Sequence, residues 1–245
     1  MKSLKSLATT ALVALAALGG YAYTEGWIDA PNSSEHVATN QDGDYYTVTG
    51  TAQRNYQTTP GNTGYCEPDE LGRARCAYGE LTADTRAAAK DRGRQPITVD
   101  PAGWGHNAEV TIPALSDVAG SSEYHGWMFN RSHLLADSLG GTPTANNLVT
   151  GTRGQNVGSV GNTGGMAYAE VKARDYLDGK TGTDAASCPL YYAATPRYTG
   201  AELLPRTVIV DMQSCDNSID ERVVVDNTAN GFNIDYATGA FTPAD

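Results

Sequence analysis

One arginine and one histidine stand two residues apart in the stretch FNRSHLLADSLGG, residues 129–141. In an extended strand successive side chains point to opposite faces, so Arg131 and His133 would share one face. An arginine beside an imidazole makes a poor core pair, because burial and the second positive charge both disfavour the protonated ring. A neutral imidazole can accept a proton near pH 7 without much tuning. His133 is therefore a candidate general base, with a buried structural histidine as the competing interpretation.

A second group of polar residues follows this strand in order: Asn147, Arg153, Asn156 and Glu170. Each has an ordinary interpretation as a turn residue, an ion-pair partner, a turn cap or a solvated helix residue. The group contains no pair of carboxylates of the glycosidase type, no G-x-S-x-G elbow and no P-loop. The functional groups that accompany the imidazole are thus amide oxygens, a carboxylate and guanidinium groups.

The elements that hold these residues are predicted from turn signals and apolar periodicity. ELTADTRAAAKDRG predicts a helix that begins at Thr82 or Asp84 and ends at Gly93. VTIPAL, HGWMFNRSHLLA and NNLVTGTR predict strands, the last one ending in Arg153, and GSVGNTGG predicts a loop. MAYAEVKARDYLDG predicts a helix with an apolar stripe at Met166, Ala169, Ala173 and Leu177. Because strands dominate and helices are few, we expect an α+β fold around a central antiparallel sheet.

The four cysteines, Cys66, Cys76, Cys188 and Cys215, predict two disulfides. No C-x-x-C spacing supports the alternative, a zinc site. Cys188 and Cys215 bracket two strand-like runs, PLYYAATPRY and TVIVDM, and an antiparallel hairpin of these runs would bring both cysteines to its open end. Cys66 and Cys76 would then form the other bridge. Disulfides are typical of exported proteins.

The N-terminal segment has the form of an export signal. Two lysines precede an apolar run from Leu7 to Gly20, which is short for a membrane span of roughly 20 residues. Residues 1–23 are therefore predicted to be a signal peptide or an N-terminal anchor. Residues 24–63 predict a polar linker or arm, and residues 64–245 the globular domain. We expect a secreted protein, or one anchored to the outer face of the cell membrane, with a membrane partner only if the segment is not cleaved.

Composition bounds the possible partners. The length of 245 residues and the hydrophobic fraction of 40% provide for a sizeable core. The formal net charge of −11 argues against wrapping nucleic acid non-specifically, because phosphate neutralisation needs a basic surface. A local basic cleft on an acidic body remains compatible with that charge.

From about Gly64 to the C-terminus the sequence resembles the DNA/RNA non-specific endonuclease family, the ββα-metal or His-Me finger nucleases, and most of all their streptodornase and DNA-entry nuclease type. Three separated motifs carry the resemblance: NRSHLLADSLGG, NNLVTGTRGQNVG and IDYATG, with LGRARCAYG upstream. The family's usual D-R-G-H motif here is Asn130-Arg131-Ser132-His133, so the arginine and the histidine are kept while their neighbours differ. The resemblance implies a ββα-metal (His-Me) finger beside the central antiparallel sheet.

The resemblance also implies a metal-dependent reaction. His133 would be the base that activates a water, Asn156 the single protein ligand of a divalent cation, and Glu170 the residue that holds the cation's waters. The cation would be Mg²⁺, with Mn²⁺ as an alternative. One amide oxygen can suffice, because Mg²⁺ keeps most of its waters and takes further oxygens from a substrate phosphate.

Three further residues receive roles from the same resemblance. Arg131 would contact phosphate and steady developing charge, Asn147 would orient the finger by hydrogen bonding, and Arg153 would be a weaker phosphate contact. The expected function is sequence-nonspecific hydrolysis of DNA, with RNA as a further substrate to be tested, that leaves 5′-phosphates. We expect no protein partner. The competing hypothesis is a non-catalytic extracellular module that binds nucleic acid or glycan on the same fold.

Overall fold

The computed structural model describes residues 43–182, 184–185 and 187–244. The chain divides into two units, 1–36 and 37–245, of which the first lies outside the described residues. The signal peptide or anchor expected at 1–23 lies there too and stays a prediction. Within the described part of the chain, no helix is long and apolar enough to cross a membrane.

The described residues form strands and a few short helices. The strands are β1 (Tyr46–Gly50), β2 (Thr63–Tyr65), β3 (Ala77–Leu81), β4 (Glu109–Ile112), β5 (Tyr124–Trp127), β6 (Phe129–His133), β7 (Leu148–Thr152), β8 (Leu190–Arg197), β9 (Thr207–Ser214), β10 (Asp220–Asp226), β11 (Phe232–Ile234) and β12 (Phe241–Pro243). The α-helices are α1 (Ala83–Arg92), α2 (Arg153–Val157) and α3 (Met166–Leu177). One-turn 3₁₀ helices lie at Trp104–His106, Asp137–Leu139 and Ala145–Asn147.

A large antiparallel sheet carries the core. Its strand order is β1-β10-β9-β8-β3-β2, and the pairs β4-β5, β6-β7 and β11-β12 form separate two-stranded sheets. Alternate residues of β8 and β9 turn inward, as the two-residue period of a strand requires: Leu190, Tyr192, Ala194, Val208, Val210 and Met212. They share one buried cluster with the apolar stripe of α3, at Met166, Ala169, Ala173 and Leu177. The predicted α+β class and the predicted stripe are confirmed.

Both predicted disulfides are present. β8 and β9 form the expected hairpin, which pairs from Leu190↔Ser214 to Arg197↔Thr207, and Cys188–Cys215 closes its open end. Cys66–Cys76 joins the ends of β2 and β3. The β8–β9 hairpin at the centre of the large sheet is therefore covalently closed.

The ββα finger consists of β6, β7 and α2. β6 and β7 pair from Phe129↔Thr152 to His133↔Leu148. The hydroxyl of Thr152 accepts a hydrogen bond from the Gln155 N–H at 3.0 Å and caps α2. Arg153, expected at the end of a strand, is instead the first residue of this helix. The sequence did not predict α2, because five residues are too few to show a helical period.

The single strand predicted over HGWMFNRSHLLA is wrong, because the structure has two strands in different sheets. β5 pairs with β4, and β6 pairs with β7. Met128 lies between them: its N–H donates to the Ala108 carbonyl at 2.9 Å, and its own carbonyl accepts from the Arg153 N–H at 2.9 Å. Both Met128 and Phe129 are buried, and hydropathy does not mark such a change of partner.

The segment 24–63, which the sequence predicts as a polar linker or arm, contains a strand of the large sheet among its described residues. β1 pairs with β10 at the edge of the large sheet, starting at Tyr46↔Val225. The residues after β1 bind the outward face of that sheet, where the Gln53 N–H donates to the Asp211 carboxylate at 2.9 Å. The folded body therefore starts well before residue 64. Polarity was misleading because a few side chains in this polar segment, among them Tyr46 and Val48, pack against the core beside the backbone pairing of β1.

Candidate active site

The finger, α1 and α3 surround a cavity of about 440 Å³. Its lining includes His133 from the end of β6, Asn156 from α2 and Glu170 from α3. The structure thus brings the predicted base, the predicted cation ligand and the predicted water-holding carboxylate to one place. A larger groove of about 660 Å³, lined by residues between Arg54 and Tyr78, contains neither an imidazole nor a carboxylate and is not the candidate active site.

β6 presents His133 to the cavity and buries its neighbour Ser132 on the other face. The His133 Nε2 atom is buried and has no hydrogen-bond partner among the described residues. Burial lowers the pKa of His133 below the ordinary 6.5, Asp137 offsets part of this effect, and Arg94 adds to it. The imidazole is therefore neutral at pH 7 and able to accept a proton, as a general base must.

α2 presents Asn156 to the same cavity. The helix ends at Gly158, which has a φ of 74° and donates its N–H to the Gly154 carbonyl at 2.8 Å. The side-chain amide of Asn156 makes no hydrogen bond within the part of the chain that the structure describes. The alternative interpretation of Asn156 as a turn cap thus has no hydrogen bond to support it.

α3 presents Glu170 one turn after its start. Burial raises the pKa of Glu170 to about 7, and Arg174, whose guanidinium lies 3.6 Å from the Glu170 Oε2, limits the rise. Desolvation of the carboxylate therefore outweighs the stabilisation that Arg174 gives to its ionised form. Positive charge in the cavity would favour its ionised form.

Asn147 is a structural residue of the finger and is fully buried. Its Nδ2 donates to the carbonyls of Leu135 and Thr142 at 2.9 and 2.8 Å, and its Oδ1 accepts from the Leu135 N–H at 2.8 Å. These bonds hold the turn between β6 and β7, in line with the expected orienting role. Because its side chain is bound on all sides, Asn147 cannot reach a substrate.

The two arginines expected to contact phosphate are absent from the lining of this cavity. Arg131 donates through Nε to Asp100 at 2.7 Å, and its guanidinium lies 4.3 Å from the centre of the Trp104 ring. Arg153 donates to the Oδ1 of Asn162 at 2.7 Å. Both guanidinium groups are thus engaged with other side chains, and their phosphate contacts stay predictions.

Three basic side chains that the sequence analysis did not single out line the cavity: Arg86, Lys90 and Arg94. Arg86 pairs with Asp178 at 3.1 Å, whereas Lys90 and Arg94 form no ion pair within the described ranges. Arg86 and Lys90 are four residues apart on α1 and so share one helical face. The signal was the run RAAAKDRGR, which concentrates cations in an acidic chain. The cavity is thus a local basic cleft on an acidic protein, which the sequence analysis found compatible with the negative net charge.

Asp137 is a further lining residue that the sequence analysis missed. Burial would raise the pKa of Asp137, but hydrogen bonds from Gln95 and Arg92 outweigh burial and lower it. Arg92 lies 2.8 Å from the Asp137 Oδ1, and the Gln95 amide donates to the same oxygen at 2.8 Å. Asp137 therefore stays ionised near His133 and fixes the segment that follows α1.

The donors of the cavity fit a hydrated divalent cation held by one protein ligand. Asn156 offers an amide oxygen without a hydrogen-bond partner among the described residues, and Glu170 offers a half-buried carboxylate. Such oxygens suit Mg²⁺, which binds through one or two protein ligands and keeps several waters. No cluster of three His, Cys, Asp or Glu residues arranged to hold a metal occurs among the described residues.

The cavity beside the ββα finger combines a neutral imidazole, an amide oxygen and a carboxylate with cations that form no ion pair among the described residues. This combination defines a site of the nuclease class. The sequence model of the DNA/RNA non-specific endonuclease family matches residues 53–216. The chain belongs to the DNA/RNA non-specific endonuclease family.

Individual relatives agree with this assignment. A "Deoxyribonuclease" from Streptococcus dysgalactiae subsp. equisimilis is 34% identical over 218 residues. The match covers 79% of this chain and 64% of that protein, so the chain spans less than two thirds of that relative's length. The structure of Sda1 nuclease with bound zinc ion aligns with a TM-score of 0.73 and 34% identity, over 84% of this chain and 98% of the other. NucA from Streptococcus agalactiae with magnesium ion bound aligns with a TM-score of 0.58 over 79% and 83% of the two chains, and at 22% identity it supports the fold alone. The predicted family and fold are confirmed.

Proposed function

We propose that the protein is a secreted, divalent-metal-dependent nuclease that hydrolyses DNA without sequence preference, with RNA as a further substrate. One observation carries the proposal: His133, Asn156 and Glu170 reach a single cavity from three different elements, β6, α2 and α3. Metal-assisted hydrolysis of a phosphodiester needs a base for the water, an oxygen ligand for the cation and a polar enclosure. These residues supply all three.

His133 removes a proton from the attacking water. Its lowered pKa keeps the ring unprotonated at neutral pH, and the protein leaves its Nε2 without a competing partner among the described residues. The water oxygen bonds to phosphorus as the proton moves to His133, and the bond from phosphorus to the 3′-oxygen breaks. The leaving 3′-oxygen takes a proton from solvent water, so the products are a 5′-phosphate and a 3′-hydroxyl, and His133 then returns its own proton to solvent.

Asn156 would hold the cation through its amide oxygen, and Glu170 would hold the cation's waters. When bound, Mg²⁺ or Mn²⁺ supplies the positive charge that polarises the phosphodiester and stabilises the leaving 3′-oxygen. Sda1 nuclease, which is 34% identical to this chain and was solved with a bound zinc ion, supports a divalent cation. We favour Mg²⁺ over zinc because amide and carboxylate oxygens are its preferred ligands, whereas zinc prefers nitrogen and sulfur.

Lys90 and Arg94 are assigned the contacts to the phosphates that flank the scissile bond. They line the cavity of His133 and form no ion pair among the described residues, so both charges are free for the substrate. Contacts to the phosphate backbone carry no base identity. Because these cations would bind only the phosphate backbone of the nucleic acid, the site would cleave without sequence preference.

Export to an oxidising compartment accompanies this activity. The two disulfides support it, because such bridges form and persist outside the cytosol. The N-terminal lysines and the apolar run after them support it as well.

Incubation of the purified protein with supercoiled plasmid and, separately, with RNA tests the function. With Mg²⁺ we expect nicking followed by degradation, no cleavage in EDTA, and recovery when Mg²⁺ is added in excess. Ligase should rejoin nicks without prior treatment by a kinase, because the ends carry 5′-phosphates. Cleavage that persists undiminished in EDTA would contradict the proposed metal dependence, and nicks that need a kinase would contradict the proposed cleavage chemistry.

A further inference from the structure

Three consecutive residues at the start of the described chain contact the elements that carry Asn156 and Glu170. We call Asp44, Tyr45 and Tyr46 the N-terminal clamp. Asp44 is 5% exposed and Tyr45 2%, although the surrounding sequence is polar. The clamp lies upstream of residue 53, where the match to the family begins.

Asp44 holds the glycine-rich loop between α2 and α3. One of its carboxylate oxygens, Oδ2, accepts hydrogen bonds from the N–H groups of both Ser159 and Val160. Its backbone carbonyl accepts another from the Gly165 N–H at 2.7 Å. A Cβ at Gly158 would collide with the same carboxylate, so this position needs glycine. The predicted loop GSVGNTGG is thus closed around Asp44.

Tyr45 and Tyr46 contact the two helices themselves. The Tyr45 ring lies against α2 at Gly154, where an added Cβ would be 2.5 Å from the ring. The Tyr46 ring stacks on Tyr168 of α3 with the ring centres 4.0 Å apart, two positions before Glu170. Tyr45 has a φ of 63°, a left-handed conformation that a bulky residue adopts where its surroundings enforce it.

We propose that the N-terminal clamp is a positioning device that sets the separation of Asn156 and Glu170, and thereby the affinity of the site for its cation. The clamp contacts the loop, α2 and α3 at once. Pairing of Tyr46 with Val225 anchors it to the large sheet, so the two helices are fixed relative to one rigid support. This proposal rests on the proposed function, and it makes the segment before the family match part of the active site.

The hydrogen bonds at Asp44 predict which substitution preserves the clamp. Both loop N–H groups converge on Oδ2, and the other oxygen, Oδ1, is buried without a partner among the described residues. An asparagine can place its amide oxygen where Oδ2 lies, whereas an alanine leaves both N–H groups without an acceptor. Asp44→Asn should therefore keep the clamp and Asp44→Ala should release it.

The test compares the full-length wild type with Asp44→Ala, Asp44→Asn and the matched control Thr49→Ala. Thr49 lies on β1 beside the clamp, but its hydroxyl donates to the Arg222 carbonyl of β10 at 3.2 Å and not to the finger. Calorimetry gives the affinity for Mn²⁺ in the absence of nucleic acid. Hydrogen exchange of residues 154–165 reports the loop and α2, with the large sheet as the internal reference.

For Asp44→Ala we expect Mn²⁺ affinity to fall about 10- to 100-fold, as for other residues that orient metal ligands. Exchange should accelerate in residues 154–165 but not in the large sheet, and KM for DNA should not change because the cations of α1 lie outside the clamp. Asp44→Asn and Thr49→Ala should match the wild type. Tyr46→Leu, which removes the stack on Tyr168, is the second variant if Asp44→Ala does not fold, and it should also weaken Mn²⁺ binding.

Wild-type Mn²⁺ affinity and wild-type local exchange in Asp44→Ala would overturn the clamp proposal while leaving the proposed function intact. Exchange that accelerates equally in the large sheet would overturn it too, because the effect would then be global stability. An Asp44→Asn variant as impaired as Asp44→Ala would refute the hydrogen-bond basis. Failure of the proposed function is a separate result: metal-independent cleavage by the wild type.

Discussion

Neutralising Lys90 and Arg94 should flatten the salt dependence of DNA binding. Each phosphate that a protein cation neutralises contributes about 0.9 to the slope of log affinity against log salt. Two unpaired cations in the lining of one cavity predict a slope that is shallower by about 1.8 in Lys90→Gln/Arg94→Gln. Between about 50 and 200 mM salt, a fourfold range, the loss of affinity should be smaller by about 12-fold.

Fluorescence anisotropy of a labelled duplex, titrated at several salt concentrations, measures this slope. The background is His133→Ala, so that bound DNA is not cleaved. The matched control is Arg131→Gln/Arg153→Gln, which removes the same charge from arginines already engaged with other side chains. We expect a clearly smaller change of slope in the control. An unchanged slope in Lys90→Gln/Arg94→Gln, together with a flattened slope in the control, would refute the assignment of the phosphate contacts to Lys90 and Arg94.

Three other predictions concern the base, the finger and the covalent frame. The kcat/KM profile should fall toward acid pH with a midpoint below pH 6.5, because His133 acts unprotonated and its pKa is lowered. Arg94→Gln removes a charge that lowers this pKa, so it should move the midpoint to higher pH. A move to lower pH would contradict the proposed effect of Arg94 on His133. Asn147→Ala should lower the free energy of unfolding in urea by about 3 kcal/mol, since buried backbone groups lose their partners, and an unchanged midpoint would speak against the structural role. Replacing Cys188 and Cys215 by serine opens a loop of 27 residues and should lower the free energy of unfolding by about 3.5 kcal/mol. Calorimetric melting measures this loss. An unchanged melting temperature would contradict the view that the disulfide stabilises the fold by constraining the unfolded chain.

Regular patterns in the sequence were sufficient to predict several of the main elements of the fold. The capped helix from Ala83 to Arg92, the apolar stripe of α3 and the hairpin closed by Cys188–Cys215 were all predicted and found. Each depends on local signals, namely a Thr82 cap, a 3.6-residue period and paired strand-like runs. Such signals lie within one element or between elements that follow each other in the sequence.

Other features depend on contacts between distant parts of the chain. The junction at Met128 changes strand partners through backbone bonds to Ala108 and Arg153, which no hydropathy pattern records. Asp44 is buried because it receives N–H groups from a loop more than a hundred residues later. Neither arrangement has a local sequence signal.

The candidate site shows the same division. Ordered motifs predicted His133, Asn156 and Glu170, and these residues do share a cavity. The motifs could not tell that Arg131 binds Asp100. They also could not tell that Lys90, far upstream in the sequence, lines the cavity. A side chain's charge is visible in a sequence, but whether another side chain already neutralises it is a property of the fold.

Separate substitution of His133 and Asn156 tests the division of labour between base and cation ligand most directly. For His133→Ala the account predicts that kcat falls about 10²- to 10⁴-fold while calorimetric Mn²⁺ affinity stays at the wild-type value. For Asn156→Ala it predicts that activity and Mn²⁺ affinity fall together. Plasmid cleavage by His133→Ala at the wild-type rate, or undiminished Mn²⁺ binding by Asn156→Ala, would contradict it.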